Sequence, residues 1–373
     1  MMATKPIRIL QVLGHLDLGG AETFIMSIYR NINKDEVQFD FIKHTFQKCF
    51  FEDEIAKLGG NIYACPRYTG INHFSYCNWW NNFFVEHPEY HVIHGHVRST
   101  AAIYLKIAKK HGLTTIAHSH STSNGNGLTS VVKHFIQLPI RHTADYLFSC
   151  SDKAGKWLFG EKATQQANYH VIPNGVNLER FAFDLKQREN MRMELGICDD
   201  EFVIGHVGRL TAPKNHRFLI ELFAEYHKSN PQSRLLMIGD GELYEAVKKQ
   251  CEKMGIAQSV IMTGSRADIE KYYQAMDIFV FPSLFEGFAI VAIEAQANGL
   301  PCLLSDTIPR DVGLTDLVTY LPLRDDRVWL NAIDTTKDKG CHRGISASNR
   351  QRLSSFDSQR VAEKLELFYR EQG

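Results

Sequence analysis

The chain has 373 residues, more than one hydrophobic core ordinarily serves, so two domains are expected. Its hydrophobic fraction of 44% and charged fraction of 23% are typical of a globular protein, and no apolar run approaches the ~18 residues that a membrane span requires. The formal net charge of +0 excludes the strong basic excess of a nucleic-acid-binding protein, so no nucleic-acid partner is expected.

The first half of the sequence alternates short β-branched runs with helical patterns. IRILQV (7–12) predicts a strand that begins directly after the first residues, and we therefore expect the chain to reside in the cytoplasm. ETFIMSIYRNI (22–32) predicts a helix with one apolar face, because Phe24, Ile25 and Ile28 recur at helical spacing. Five further strands are predicted in this half, at 39–42, 61–63, 91–96, 114–120 and 145–150.

The alternation restarts after the Pro-Asn-Gly turn of HVIPNGVNLERF (170–181), which predicts a hinge. Strands follow at 202–208, 234–241, 259–264 and 277–282, with helices over 215–228, 242–254 and 268–276 and from Phe288 onward. Strands that alternate with helices indicate parallel, doubly wound sheets. The predicted fold class is therefore α/β, with two Rossmann-like domains facing a cleft. We expect the domains to comprise residues 1–175 and 176–355, with a final amphipathic helix over 356–373.

Charge and cysteine are distributed in ways that bear on ligands. Residues 1–175 contain 17 Lys+Arg against 13 Asp+Glu, a mild basic excess that favours an anionic ligand or a membrane surface, although ordinary surface variation explains it equally well. The eight cysteines are scattered singly, without a C-x-x-C pair. Reduced and mostly buried thiols are therefore expected.

Two glutamates stand eight positions apart in FEGFAIVAIEAQA (285–297). Glu286 occupies the turn after a strand, and Glu294 lies in an otherwise apolar helix of small residues. Because an ionised carboxylate is unfavourable to bury without partners, Glu294 is predicted to bind a ligand, with a helix-surface carboxylate as the alternative. The first N–H groups of the helix predict an anion site built from Gly287, Phe288, Ala289 and Ile290.

Arg209 and Lys214 directly follow the strand that ends at Gly208. A solvent-exposed pair is the ordinary alternative for such residues. However, open α/β sheets bind ligands at the carboxyl ends of their strands. Two fixed cations at that edge would attract an anionic group, so both residues are predicted to bind a ligand there.

Two His-x-His pairs, His94/His96 and His118/His120, fall at predicted strand ends. Their period-two spacing directs the side chains of each pair to one face of the sheet. Zinc is one interpretation, but no Cys or carboxylate completes a ligand set by spacing, so no metal is predicted. Histidines with satisfied structural hydrogen bonds are the other interpretation.

Five segments occur in a characteristic order: GGAE (19–22), IPNGVN (172–177), VGRLTAPK (207–214), EGFAIVAIE (286–294) and ANGLP (297–301). Together they resemble the GT-B-fold retaining glycosyltransferases of family four. The likeness covers essentially the whole chain and is greatest to the branch that builds bacterial exopolysaccharide and capsule repeat units.

The resemblance implies that the second domain binds a nucleotide-sugar donor, with UDP as the expected nucleotide. Such a donor carries hydroxyl clusters on its sugar and on its ribose, with a diphosphate between them. Glu294 would bind the ribose hydroxyls and Glu286 the transferred sugar, while the loop of Ser265 and Arg266 would contact the base. Arg209 and Lys214 would act as electrostatic catalysts that stabilise negative charge on the leaving diphosphate, so neither a metal nor another cofactor is expected.

The resemblance also implies that the first domain binds the acceptor and that the final helix packs back towards it. Gly19 and Gly20, otherwise a plain tight turn, would border the diphosphate and the acceptor. His118, or His120 at an offset of two, would border the donor sugar. His96 and His120 would line the acceptor cleft, with a structural histidine as the alternative for His96.

The implied function is transfer of a sugar to an oligosaccharide or lipid-linked acceptor, with the lipid-linked acceptor met at the inner face of the plasma membrane. The apolar segments at 78–87 and 128–142 contain interspersed basic or His residues. They fit peripheral docking on a membrane or, alternatively, burial in the core. A nucleotide-sugar epimerase of the same fold and a non-catalytic nucleotide-sugar-binding protein are the alternative functions.

Overall fold

The computed structural model describes residues 6–120, 136–340 and 343–373. The chain divides into two compact units, which we call unit 1 (residues 1–175 with 356–373) and unit 2 (residues 176–355). Each is built on a parallel sheet, which confirms the predicted α/β class with two Rossmann-like domains. Among the described residues, no helix combines the length and apolar character needed to cross a bilayer.

Unit 1 contains a seven-stranded parallel sheet in the order β3-β2-β1-β4-β5-β6-β7. Its strands are β1 (Ile7–Leu13), β2 (Val37–Lys43), β3 (Ile62–Ala64), β4 (Val92–Gly95), β5 (Thr114–Ser119), β6 (Tyr146–Ser149) and β7 (Tyr169–Val171). The strand order reverses at β1, which pairs with β2 on one side and β4 on the other. Such a reversal opens a crevice at the carboxyl ends of the strands. β7 was not predicted, because its three residues run directly into the Pro-Asn-Gly turn.

The helices of unit 1 cover the faces of this sheet. They are α1 (Gly20–Asn31), α2 (Glu52–Lys57), α3 (His73–Glu86), α4 (Ala101–Lys110), α5 (Ile140–Thr143) and α6 (Asp152–Phe159). In α1 the predicted apolar face is confirmed, since Phe24, Ile25 and Ile28 are all buried. The helix begins two residues earlier than predicted, at Gly20.

The aromatic segment at 78–87 belongs to the core rather than to a membrane-docking surface. Trp80, Phe83 and Phe84 of α3 are buried, and the Trp80 ring stacks on Tyr104 of α4 with centroids 5.1 Å apart. For these aromatic rings the membrane-docking interpretation is therefore wrong and the core interpretation is right, because helical spacing directs the rings onto the sheet. The second proposed docking segment, 128–142, lies outside the described residues up to position 135.

Unit 2 contains a six-stranded parallel sheet in the order β10-β9-β8-β11-β12-β13. The strands are β8 (Phe202–Val207), β9 (Ser233–Ile238), β10 (Val260–Met262), β11 (Ile278–Phe281), β12 (Cys302–Ser305) and β13 (Val318–Leu321). The surrounding helices are α7 (Leu178–Phe181), α8 (Leu185–Glu194), α9 (His216–Ser229), α10 (Tyr244–Lys253), α11 (Ile269–Ala275), α12 (Ile290–Ala297), α13 (Asp326–Asp338) and α14 (Ala347–Leu353). β8 is central, with β9 on one side and β11 on the other.

The last helix, α15 (Ser358–Gln372), lies in unit 1 although it follows unit 2 in the sequence. Its Val361, Leu365 and Tyr369 are buried in the core that α1 and β1 also form. Where α15 begins, a Cβ at Gly175 would lie 2.7 Å from Ser358 Cα, so the hinge glycine permits a close backbone approach.

Candidate active site

Lys214 and Glu286 form an ion pair in unit 2, with 2.7 Å between Lys214 Nζ and Glu286 Oε1. Lys214 ends the short 3-10 turn after β8, and Glu286 lies in the loop after β11. Because β8 and β11 are neighbours in the sheet, their carboxyl ends bring these two distant residues together. The Lys214 ammonium also lies 4.8 Å from the centroid of the Phe281 ring. The cation is thus held from two directions.

Arg209 lies on a segment that packs tightly against the loop after β9. Gly239 has φ +142°, and a Cβ there would overlap the carbonyl oxygen of Gly208, so glycine is required at this approach. The N–H of Leu210 donates to the carbonyl oxygen of Asp240 at 3.0 Å. These contacts fix the backbone on both sides of Arg209, while its side chain is exposed at the sheet edge.

Ser265 and Arg266 occupy the loop after β10 and are exposed. The preceding Gly264 accepts a hydrogen bond from the N–H of Gly239 at 2.9 Å, which ties this loop to the loop after β9. The Arg266 guanidinium lies 5.7 Å from the centroid of the Tyr272 ring. The loops that carry the predicted donor residues therefore follow three strands of one sheet, β8, β10 and β11, at one edge.

Glu294 is buried in α12, where Tyr273 of α11 donates a hydrogen bond to its Oε2 at 2.9 Å. Burial raises the pKa of Glu294 to about 7, with a further upward contribution from the nearby Glu270 charge; the Tyr273 hydrogen bond and the Arg180 charge act in the opposite direction. Glu294 is thus an acceptor poised between its neutral and charged forms near physiological pH. Tyr273 was not predicted as a partner of Glu294, because a tyrosine in a short helix is most simply a core residue.

The N-terminus of α12 differs from the prediction. The helix begins at Ile290, with Ala289 at its N-cap, rather than at Phe288. The Ile290 N–H donates to the carbonyl oxygen of Phe288 at 3.2 Å, so this group serves the turn and not a ligand. The ψ of 74° at Ala289 lies outside the helical range, so the helix begins only at the next residue. Ile290 is therefore removed from the predicted anion site, which remains a prediction for the N–H groups around Gly287 and Ala289.

The two His-x-His pairs meet in unit 1 as a cluster of four imidazoles. β4 and β5 are adjacent parallel strands, so the pair at the end of one lies beside the pair at the end of the other. His94 Nε2 lies 3.1 Å from His118 Nδ1, and His96 Nδ1 lies 2.7 Å from His120 Nε2. Burial lowers the pKa of His120 to about 3, and it lowers the pKa of the other three well below the usual value. All four rings are therefore neutral near pH 7.

Two side chains outside the pairs orient the cluster. The Tyr369 hydroxyl lies 2.6 Å from His94 Nδ1, and Gln11 Oε1 lies 3.0 Å from His96 Nε2. Burial raises the pKa of the Tyr369 phenol, so its hydroxyl is protonated and can donate to His94 Nδ1. In the tautomer that this bond selects, His94 Nε2–H donates to His118 Nδ1, and the other His118 nitrogen, Nε2–H, is a donor. Among the described residues this buried group has no hydrogen-bond partner.

The imidazole cluster also has the composition of a transition-metal site. Ring nitrogens of His94, His96 and His118 lie within 4.8 Å of one another. The spacing of either pair did not indicate this set, because two strands contribute to it. The same rings are joined by the hydrogen bonds described above, which an ion would have to displace.

Gly19 and Gly20 open α1 at the carboxyl end of β1 and have different surroundings. A Cβ at Gly19 would overlap the carboxylate of Glu22, whereas a Cβ at Gly20 would meet no described atom within 4 Å. Burial raises the pKa of that Glu22 carboxylate, and His15 Nδ1 lies 3.8 Å from it. The Glu22 carboxylate is the far end of a flexible side chain, so this contact alone does not require glycine at position 19. The open space at Gly20 leaves room for a ligand.

Two family models match the chain. The model for glycosyltransferase family 4 matches residues 18–180, and the model for glycosyl transferases group 1 matches residues 187–316. The first range includes the glycine turn and all four histidines of the imidazole cluster. The second includes every predicted donor residue from Arg209 to Glu294.

Similar proteins agree with this assignment. EpsF of Bacillus subtilis (strain 168), a glycosyltransferase by name, is 33% identical over 341 residues, which are 89% of this chain and 88% of EpsF. The UDP-Gal:alpha-D-GlcNAc-diphosphoundecaprenol alpha-1,3-galactosyltransferase of Escherichia coli is 28% identical over 58% of each chain. The solved structure of Anabaena Alr3699/HepE in complex with UDP-glucose has a TM-score of 0.78 at 18% identity, covering 98% of this chain and 99% of that chain, and it shows a common fold.

Proposed function

The chain belongs to glycosyltransferase family 4, of the GT-B fold, and we propose that it transfers a sugar from a UDP-linked donor to a hydroxyl group of a growing glycan. The observation that carries this proposal is the Lys214–Glu286 ion pair, 2.7 Å long, at the carboxyl edge of the unit 2 sheet. A pure binding site does not need a fixed cation at that position, whereas departure of a diphosphate does. We further propose that the acceptor is a lipid-linked or oligosaccharide intermediate of exopolysaccharide or capsule synthesis.

The reaction breaks the bond between C1 of the donor sugar and its phosphate oxygen, and the electron pair remains on the departing UDP. Lys214 and Arg209 would stabilise that charge, so no metal is required. Glu286 would hold Lys214 in place and accept hydrogen bonds from the transferred sugar. The acceptor oxygen would bond to C1 on the face that UDP leaves, with retention, and its proton would pass to a phosphate oxygen of UDP.

Glu294 would accept hydrogen bonds from the ribose hydroxyls of UDP. Its carboxylate is charged above a pKa of about 7 and protonated below it. The charged form is the stronger acceptor. We therefore expect the affinity for UDP to rise as the pH increases through 7, a trend that titration calorimetry at several pH values measures.

The Glu294→Gln substitution is expected to weaken UDP binding and to stabilise the protein. Folding raises the pKa of this carboxyl from 4.5 to about 7, so the folded state binds the proton more tightly and its stability falls as the pH rises through that interval. At pH 8 the ionised carboxylate therefore destabilises the fold by about 3 kcal/mol, which glutamine would recover. Chemical denaturation at pH 8 gives the difference directly.

Glu270→Gln is the matched control for that experiment. Glu270 is also buried in unit 2 but is paired with Arg180 at 2.8 Å. Its neutralisation should give no gain in stability, because an ion pair is lost rather than an unfavourable charge. If Glu294→Gln is no more stable than the parent at pH 8, or binds UDP equally well, the proposed role of this carboxylate is wrong.

The function as a whole is tested by UDP release from a panel of UDP-sugars, with EDTA present, beside Glu294→Ala and Lys214→Ala. We expect slow hydrolysis of one donor that persists in EDTA and is lost in both variants. A donor that is converted to its epimer without UDP release would instead establish an epimerase. UDP binding without turnover of any donor, even when glycan acceptors are supplied, would favour a binding protein.

We propose that unit 1 contacts an anionic membrane surface through the start of α3. Ile71 and Phe74 there are 97% and 83% exposed. Neighbouring His73 lines a groove of about 830 Å³ together with Lys106 and Lys110. Apolar and basic groups side by side suit the interface of an anionic bilayer.

Flotation with phosphatidylglycerol-containing vesicles should recover the protein, and Phe74→Asp should reduce the bound fraction several-fold. Leu367→Asp is the control. Leu367 is also a large apolar residue of unit 1 with an exposed side chain, at 60%, but it lies on α15 rather than on α3. Equal recovery with uncharged phosphatidylcholine vesicles would contradict the proposed electrostatic contact.

A further inference from the structure

A cavity of about 1050 Å³ lies in unit 1 at the carboxyl edge of its sheet. The loops that line it follow β3, β2, β1 and β4, which are consecutive in the sheet. Each loop contributes at least one basic or titratable nitrogen group to the lining: Arg67 after β3, His44 and Lys48 after β2, His15 after β1, and His96 and Arg98 after β4. Among the described lining residues, Asp17 is the one carboxylate. The cavity is therefore an electropositive site at the ligand-binding edge of a parallel sheet.

Arg98 is the most firmly positioned of these cations. It is half-buried, and its guanidinium lies 4.9 Å from the centroid of the Trp157 ring. Burial lowers its pKa, which means that its charge is incompletely hydrated in this position. An anion in the cavity would offset that desolvation. A guanidinium also offers two parallel N–H groups that match a phosphoryl or carboxylate group.

The other charged groups of the lining leave the positive field intact. Lys48 pairs with Asp53, but both side chains are at least 70% exposed, so water screens the pair. Asp17 Oδ1 accepts a hydrogen bond from the N–H of Phe50 at 3.0 Å. Arg67 is exposed. It follows β3, at one end of this run of four strands, whereas Arg98 follows β4 at the other end.

Buried polar atoms in the wall indicate that the cavity is built for a ligand. Thr100 Oγ1 and Gln137 Oε1 line it, and neither has a hydrogen-bond partner among the described residues. Both side chains are at most 4% exposed. Buried polar atoms are normally satisfied, so a hydroxyl donor and an amide acceptor left open at one cavity point to a bound polar molecule. His96, a member of the imidazole cluster, also lines this cavity.

We propose that this cavity binds an anionic group of the acceptor, phosphoryl or carboxylate, and hence that the acceptor is charged close to its reacting hydroxyl. The inference rests on the proposed transferase function and specifies the substrate class. Two sources share this chemistry: the diphosphate of a lipid-linked saccharide and the carboxylate of a uronic acid in the glycan. Thr100 would donate to an oxygen of the anion, and Gln137 would accept from a sugar hydroxyl.

Titration calorimetry on the full chain, saturated with UDP so that donor-side phosphate contacts are filled, tests the proposal. The probes are farnesyl diphosphate against farnesol, and p-nitrophenyl glucuronide against p-nitrophenyl glucoside. We expect one charged probe to bind at least tenfold more tightly than its neutral partner, with an advantage that shrinks as salt is added. The diphosphate arm identifies a lipid-linked source, and the glucuronide arm identifies a charged glycan.

Arg67→Glu should weaken the charged probe at least tenfold without changing the affinity for UDP. Arg67 is exposed, so this change carries little risk to folding. Arg98→Gln tests the half-buried cation separately. Lys57→Glu, at an exposed lysine in the last turn of α2 in unit 1, is the matched control and should bind as the parent does.

Equal binding of charged and neutral probes, or parental affinity in both arginine variants, would overturn the inference and leave the transferase proposal standing. Failure of the parent protein to bind UDP would count against the transferase proposal alone. The titrations repeated without UDP would still decide the cavity's preference.

Discussion

Replacement of Lys214 by alanine is expected to lower kcat for donor turnover by about 10²–10³-fold, the loss typical when one preorganised electrostatic group is removed from a transition state. The ammonium is fixed by Glu286 at 2.7 Å and by the Phe281 ring at 4.8 Å. It would therefore meet the negative charge of the leaving UDP without reorganisation. Because that charge develops only as the sugar–phosphate bond breaks, kcat and kcat/KM should fall together. Steady-state release of UDP from the preferred donor measures both.

Lys271→Ala is the control for this substitution. Lys271 also pairs with a carboxylate of unit 2, Asp268 at 3.1 Å, but its side chain is 53% exposed. Such surface pairs contribute about 0–1 kcal/mol, so the control should retain activity and stability. Lys214→Ala also leaves Glu286, whose side chain is 10% exposed, without its counter-charge. Melting temperatures must therefore accompany the kinetics. A folded Lys214→Ala enzyme with parental kcat would remove this residue from the mechanism.

The fold was largely predictable because each strand–helix alternation is a local pattern. Periodicity showed which face of α1 is buried and where β1, β8 and β11 lie, and the family motifs marked the loops after them. Short elements escaped prediction: β7 has three residues, and its sequence runs into a turn. The start of α12 was predicted two residues too early. Phe288 and Ala289 are residue types that occur both in tight turns and in the first turn of a helix, so their identity does not distinguish the two.

Contacts between strands were less predictable, since sheet order is not a local property. The two His-x-His pairs were treated as independent, yet the adjacency of β4 and β5 joins them into one cluster. Tyr369 completes this cluster from a helix more than 240 positions away in the sequence. One signal was available for Gln11, a polar residue inside the apolar strand IRILQVL. The roles of Arg209, Ser265 and Arg266 remain predictions, because exposed side chains take their function from a ligand.

Mild acid is expected to destabilise unit 1 steeply, because the histidine cluster is buried in its neutral form. Burial lowers the folded-state pKa of His94, His96, His118 and His120 below the ordinary 6.5. Below pH 6.5 the unfolded chain therefore binds more protons than the folded one, and stability falls with pH until the folded-state pKa values are reached. Each histidine contributes up to about 1.4 kcal/mol per pH unit, so four remove about 5 kcal/mol between pH 6 and 5.

This loss rivals the whole stability of an ordinary domain, which is about 5–15 kcal/mol. Glu294 acts oppositely, since its raised pKa stabilises the fold on acidification, but it lies in unit 2.

Urea unfolding at several pH values, followed by hydrogen exchange within β4 and β5, isolates the contribution of unit 1. His118→Gln should reduce the pH slope by about one proton even if it lowers stability overall, because the slope is the readout. A parent protein whose unit 1 loses less than about 1 kcal/mol between pH 7 and 5.5 would show that these imidazoles accept protons without unfolding.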